Sequence, residues 1–154
     1  MTAGNVQGPE TLEAWKKSGS FALKVYREIL PLLPEEEKWN LNQQIRRSAS
    51  GIPTYIAEGH GRFYCQENIR FCYIARGSLT EIYSHITLAV ELGYIPVEKY
   101  AEIKKFVEEL IRIINVYIAY LKRSKIGANK PGAIILFERK LLYTQPALRK
   151  IVAL

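Results

Sequence analysis

The sequence predicts an all-α chain, an up-and-down antiparallel four-helix bundle with a C-terminal basic extension. Three observations carry this. Four segments place apolar residues at a helical period, no alternating strand pattern competes with them before residue 130, and the connections between them are short. At 154 residues the chain has room for one ordinary domain and one core.

The first segment runs from Thr11, read as an N-cap, through Leu12, Trp15, Ala22, Tyr26, Ile29 and Leu33, and stops at Pro34. The second is expected to start at Pro34, with Glu35, Glu36 and Glu37 complementing the helix dipole, and has the apolar row Leu41, Ile45, Ala49, Ile52 and Ile56. The third, about residues 66–92, carries Ile69, Cys72, Tyr73, Leu79, Ile82, Tyr83, Ile86, Ala89 and Val90, and ends at Gly93 and Pro96. The fourth, about residues 97–122, carries Tyr100, Ile103, Val107, Leu110, Ile114, Tyr117, Ile118 and Leu121. Its additional Phe106, Ile111, Ile113 and Tyr120 give an apolar surface wider than one stripe, which points to self-association. Residues 1–10 are expected to be disordered, 11–122 to form the bundle, and 123–154 to form the basic extension.

Charge divides unevenly along the chain. Through Leu121 there are 14 Lys and Arg against 14 Glu, and the chain has no Asp. Lys122, Arg123, Lys125, Lys130, Arg139, Lys140, Arg149 and Lys150 then face Glu138 alone, so the whole net charge of +7 belongs to the last 33 residues. A basic tail on a neutral body suits an acidic partner, nucleic acid first, because phosphate neutralisation is the main sequence-independent source of such affinity. The two short apolar-basic runs of the tail, separated by Pro146, fit either a basic arm or a segment docked on the bundle. The lack of a long apolar run or a leader-like N-terminus leads to the expectation of a cytoplasmic protein with no membrane partner.

The segment SGIPTYIAEGHGR, residues 50–62, is the densest in unusual residues. Ser50, Glu58, His60 and Cys65 can be written as a nucleophile with a base and an orienting group, but no nucleophile elbow or hydrolase motif surrounds them. His60, Cys65, Cys72 and His85 do not space as a zinc site. Two cysteines seven apart in a helix lie about 10.5 Å apart at ~1.5 Å per residue, too far for a shared metal or a disulfide. The glycines match no nucleotide-binding spacing. No catalytic residue, metal site or cofactor is therefore expected, and the protein is expected not to be an enzyme. The residues instead suggest a joint, with Pro53 bending the second helix and Gly59 and Gly61 ending it in left-handed conformations. Around it Arg46, Arg47, Arg62, Arg70 and Arg76 outnumber Glu58 and Glu67. Arg76, set among apolar residues and followed by Gly77, either takes Glu58 as a partner or remains solvated, and the remaining arginines suit phosphate.

The runs Leu12-Glu13-Ala14-Trp15-Lys16, Gln44 to Ala49, Ile52-Pro53, Ile56-Ala57-Glu58-Gly59, Gly61-Arg62, Arg70-Phe71, Ile74 to Leu79 and Glu91 to Tyr94, in that order, resemble the four-helix bundle proteins of the 23S rRNA intervening-sequence family. The resemblance covers about residues 11–122. It implies a small bacterial bundle, homopentameric in relatives, some of which are encoded within insertions in large-subunit ribosomal RNA genes. The family is similar in fold to accessory proteins of diversity-generating retroelements, which are pentameric, basic, and bind a reverse transcriptase and nucleic acid. A homo-oligomer that binds RNA is the first expectation, and an accessory subunit of a reverse transcriptase or a similar protein scaffold is the second. The long basic tail departs from the short members.

Overall fold

A computed structural model of the protein describes residues 8–62 and 64–124. Four helices dominate, and no strand occurs among these residues. Helix α1 spans Glu13–Lys24, α2 Leu41–His60, α3 Cys65–Glu91 and α4 Val97–Ser124. The extension beyond residue 124, with Lys125, Lys130, Arg139, Lys140, Arg149 and Lys150, lies outside the described residues.

The start of α1 differs from expectation. Thr11 does not cap it; its Oγ1 donates to the Gly8 carbonyl at 3.0 Å inside a 3-10 turn, Pro9–Thr11, and an extended Leu12 leads into the helix. Part of the segment expected to lack order is therefore turned. Beyond Lys24 the helix widens into a π turn at Val25–Ile29 and tightens into a 3-10 turn at Leu30–Leu32. Pro31 explains the change, because it has no N–H for the Arg27 carbonyl and its ring crowds that oxygen.

Helix α2 does not begin at Pro34. That residue is extended, Glu35–Glu37 form a single 3-10 turn, and regular helix starts at Leu41. The acidic run still serves the helix, since Glu37 Oε2 accepts from the Leu41 N–H and from Asn40 Nδ2, both at 3.1 Å. Pro53 does not end the helix. It sits within a helix that runs unbroken to His60, and Ser50 Oγ and Thr54 Oγ1 turn back onto the carbonyls of Arg46 and Ser50 on the exposed side.

Helix α3 ends where expected. Gly93 takes φ 77°, and the Gly93 and Tyr94 N–H groups donate to the carbonyls of Val90 and Ala89, both at 2.9 Å. This pairing satisfies two carbonyls of the last turn and needs a residue without Cβ at Gly93.

Cross-helix contacts set the topology. Along α1 and α4 the pairs Lys17–Glu109, Phe21–Phe106, Lys24–Glu102 and Glu28–Lys99 run in opposite residue order, as antiparallel helices require. Asn68–Tyr117 and Tyr83–Tyr100 do the same for α3 and α4. Gly51 near Ser78 and Gly59 near Asn68 and Phe71 do so for α2 and α3, which share the most extensive contact. The interior holds the expected rows: Ile45, Ile52 and Ile56 of α2, Leu79, Ile82 and Ile86 of α3, and Ile103, Leu110 and Ile114 of α4 are fully buried. Each contributes ~1.5–3 kcal/mol by leaving water.

The extra apolar residues of α4 are drawn on by the bundle to different degrees. Tyr120 is buried, Phe106 packs edge to face on Phe21 at 5.3 Å, and Ile111 and Ile113 pack half-buried against the core. Tyr120 is thus withdrawn from the outward surface expected of it, while Phe106, Ile111 and Ile113 keep part of theirs exposed. More exposed apolar side chains lie elsewhere, at Ile74, Leu88 and Leu92 on α3 and just past its end, at Leu23 on α1, and at Trp39 and Val97 near helix starts.

Along the α1–α4 seam charge is compensated. Lys24 Nζ donates to Glu28 and Glu102, each at 2.9 Å, and Lys99 Nζ donates to Glu28 at 2.7 Å. Hydrogen bonds from Lys99 and Lys24 hold the Glu28 carboxyl down at about 2. Glu102 is lowered and both lysines are raised for the same reason. No helix among the described residues is long and apolar enough to cross a membrane.

Candidate nucleic-acid interface

Near the end of α4 the chain brings together two cations that are far apart in sequence, Arg76 of α3 and Lys122 of α4. The meeting of the start of α3 with the end of α4 is marked by Cys65 Sγ, 3.9 Å from Ser124 Oγ. Beneath the surface, Asn68 Nδ2 donates to the Tyr117 hydroxyl at 3.0 Å, and the Cys72 thiol donates to Asn68 Oδ1 at 3.6 Å. A buried amide is costly without partners, so this chain of bonds fixes the register of α3 on α4.

Gly59 lets α2 approach closely enough to complete the end. A Cβ there would stand 2.7 Å from Phe71 Cβ, 3.0 Å from Asn68 Oδ1 and 3.2 Å from the Asn68 carbonyl. The expected left-handed conformations at Gly59 and Gly61 are absent, since Gly93 is the sole positive-φ glycine among the described residues. Gly61 has φ −75° and remains right-handed, its N–H bonded to the Ala57 carbonyl at 3.1 Å. Gly59 therefore serves packing between helices, and no backbone constraint explains Gly61.

On the surface of this end, Glu58 accepts from Arg62 one turn later, so its partner is Arg62 rather than Arg76. The Arg62 guanidinium also lies 5.0 Å from the Phe71 ring, which stacks on Tyr55 at 6.5 Å. Arg70 and Arg123 are exposed. Arg76 lies 5.7 Å from the centre of the Tyr73 ring, and Lys122, from α4, lies 5.6 Å from the same ring. Neither Arg76 nor Lys122 has a carboxylate partner among the described residues. Cation–π contacts at exposed sites are worth ~0.5–1 kcal/mol, so these cations are readily exchanged for a phosphate. Gly77 is exposed, and a Cβ added to it would meet nothing within 4 Å, so no contact inside the subunit calls for glycine there.

Arg46 and Arg47 do not belong to this surface. Sixteen residues before Arg62, Arg46 stands about 24 Å away along α2 at ~1.5 Å per residue. There it lies 4.7 Å from the Tyr26 ring, and Arg47 beside it is exposed. Residue order alone does not show the outward Tyr73 or the Asn68–Tyr117 bond, because both depend on pairs from separate helices.

The groups considered for chemistry are tied down otherwise. Ser50 Oγ is bonded to the carbonyls of Arg46 and Arg47 at 3.0 and 3.2 Å. Burial pushes the Cys72 thiol up to about 12, and His85 Nε2 lies 3.7 Å from Glu81. Among the described residues no three His, Cys or Glu side chains converge as a metal site would require.

The fold and this surface define a class: an antiparallel four-helix bundle with a basic end studded with aromatic rings. The family model of the 23S rRNA-intervening sequence protein matches residues 10–116, and the chain belongs to that family. No curated protein matches it.

Proposed function

We propose that the protein is a non-enzymatic, cytoplasmic homo-oligomer that binds nucleic acid, specifically RNA, through the basic end of the bundle and the extension beyond it. The observation that carries this reading is the pair Arg76 and Lys122, from two helices, on the exposed Tyr73 ring where α4 finishes, with Arg70 and Arg123 exposed nearby in sequence. The sequence that follows adds Lys125, Lys130, Arg139, Lys140, Arg149 and Lys150 against one glutamate. Membership of a family named for a ribosomal RNA insertion supports the choice of RNA.

The test is binding of labelled RNA to the full chain across a salt series. Log affinity is expected to fall linearly with log salt, with a slope of about −0.7 to −0.9 per phosphate neutralised, and deletion of residues 123–154 to flatten that slope. A chain that copurifies with no nucleic acid and binds none at low salt overturns the reading.

Self-association finds support on α3, where exposed Gly77, Ser84, Leu88 and Leu92 follow one another along the outer face. The family resemblance suggests five subunits. Native mass spectrometry is expected to give that multiple, and Leu88→Glu to reduce it while the helical signal is retained. The same apolar face supports the second reading, an accessory subunit docked on a reverse transcriptase, which a reverse transcriptase gene beside this one would favour.

A further inference from the structure

We propose that Tyr73 is a base-stacking platform, flanked by Arg76 and Lys122 as phosphate clamps, and that it makes the basic end select single-stranded RNA over duplex. The proposal rests on the reading that this end binds RNA, and it names the form of RNA that is bound. Tyr73 is 44% exposed, although a tyrosine ring usually gains by burial. Its ring is attended by two cations from two helices, at 5.7 and 5.6 Å. Arg70 stands one turn before it on α3, and Arg123 follows Lys122 on α4.

A duplex offers this surface its phosphates and 2′-hydroxyls but keeps its bases stacked inside, out of reach of a ring standing on the side of a helix. An unpaired base can lie on the tyrosine face, with the guanidinium of Arg76 beside it and its flanking phosphates on Lys122, Arg123 and Arg70. The ring then supplies affinity that salt does not screen, and the cations supply the part that salt does. These two contributions can be separated by experiment.

The experiment measures anisotropy of the full chain with a labelled, unstructured RNA of about sixteen nucleotides, the upper range of a single-strand site, and with the duplex of the same sequence. Tyr73→Ala is expected to weaken single-strand binding about tenfold, to change duplex binding less than about twofold, and to leave the salt slope unaltered. Tyr73→Phe keeps the ring and is expected to bind like the parent, while Lys122→Gln lowers the slope by about 0.7 on the single strand. If the parent binds RNA and Tyr73→Ala weakens both forms equally, or neither, the stacking role is wrong and the wider reading stands. If the parent binds neither form, both fall together. A change in subunit number in Tyr73→Ala, by native mass, would make the ring part of a subunit contact and overturn the proposal.

Discussion

Helix α4 meets its two neighbours in opposite ways. Toward α1 it sets charge against charge: Glu109 on Lys17, Glu102 on Lys24 and Lys99 on Glu28, with Phe106 on Phe21 between them. Toward α3, at its far end, it sets Lys122 beside a tyrosine that already holds Arg76. The first side closes on itself and the second leaves positive charge facing outward. The same residue types thus produce a seam in one place and a binding surface in another, and the difference lies in whether a carboxylate stands across.

The contrast can be broken most strongly from beneath the surface. Gly59→Ala forces a methyl against Phe71 Cβ and Asn68, atoms too close to the backbone to swing away, and should lower unfolding stability by about 2–3 kcal/mol in urea titration. An unchanged midpoint would show that α2 and α3 can part without cost. Tyr117→Phe takes the partner of the Asn68 amide from between α3 and α4, and a loss of about 1–2 kcal/mol is expected by the same measurement.

The closed side should reveal itself through acid. Glu28 is held at about 2 against an ordinary 4.5, so the unfolded chain takes up this proton first as pH falls. The seam's contribution is full above about pH 4.5 and lost as pH drops through about 2. Glu28→Gln should flatten the fall of the urea midpoint in that window, and an unaltered profile would detach the seam from acid stability. The smallest effect belongs to Arg46→Gln, about 24 Å from the basic end along α2, which should change RNA affinity less than about twofold. A larger loss would extend the binding surface along α2.

Much of this architecture is legible in residue order. The four apolar rows, the stop at Gly93 and the separation of a neutral body from a basic tail follow from local pattern, because helix period and terminating glycine act over a few residues. Pro34 misleads because a proline that can open a helix can equally precede a single 3-10 turn, and the capping carboxylate of Glu37 serves a helix that starts later. Gly59 reads as a turn because glycine at a helix end usually is one, whereas its cause is Phe71, twelve residues on and across the interface. Arg76 and Lys122 stand out in the sequence as cations, but their meeting at one ring depends on which helix lies beside which. Tyr73 reads like one more core aromatic at helical spacing. Only the register of α3 against α4 turns it outward to meet Lys122.

The buried thiol of Cys72 has a further use. With its proton held up to about 12 by burial, the thiol stays protonated at neutral pH, and a fully buried sulfur is closed to reagents besides. Alkylation at Cys72 therefore counts the moments when α3 leaves its neighbours. In a Cys65→Ser background the chain contains its own opening clock, one that should tick faster in Gly59→Ala and keep its pace in Tyr73→Ala.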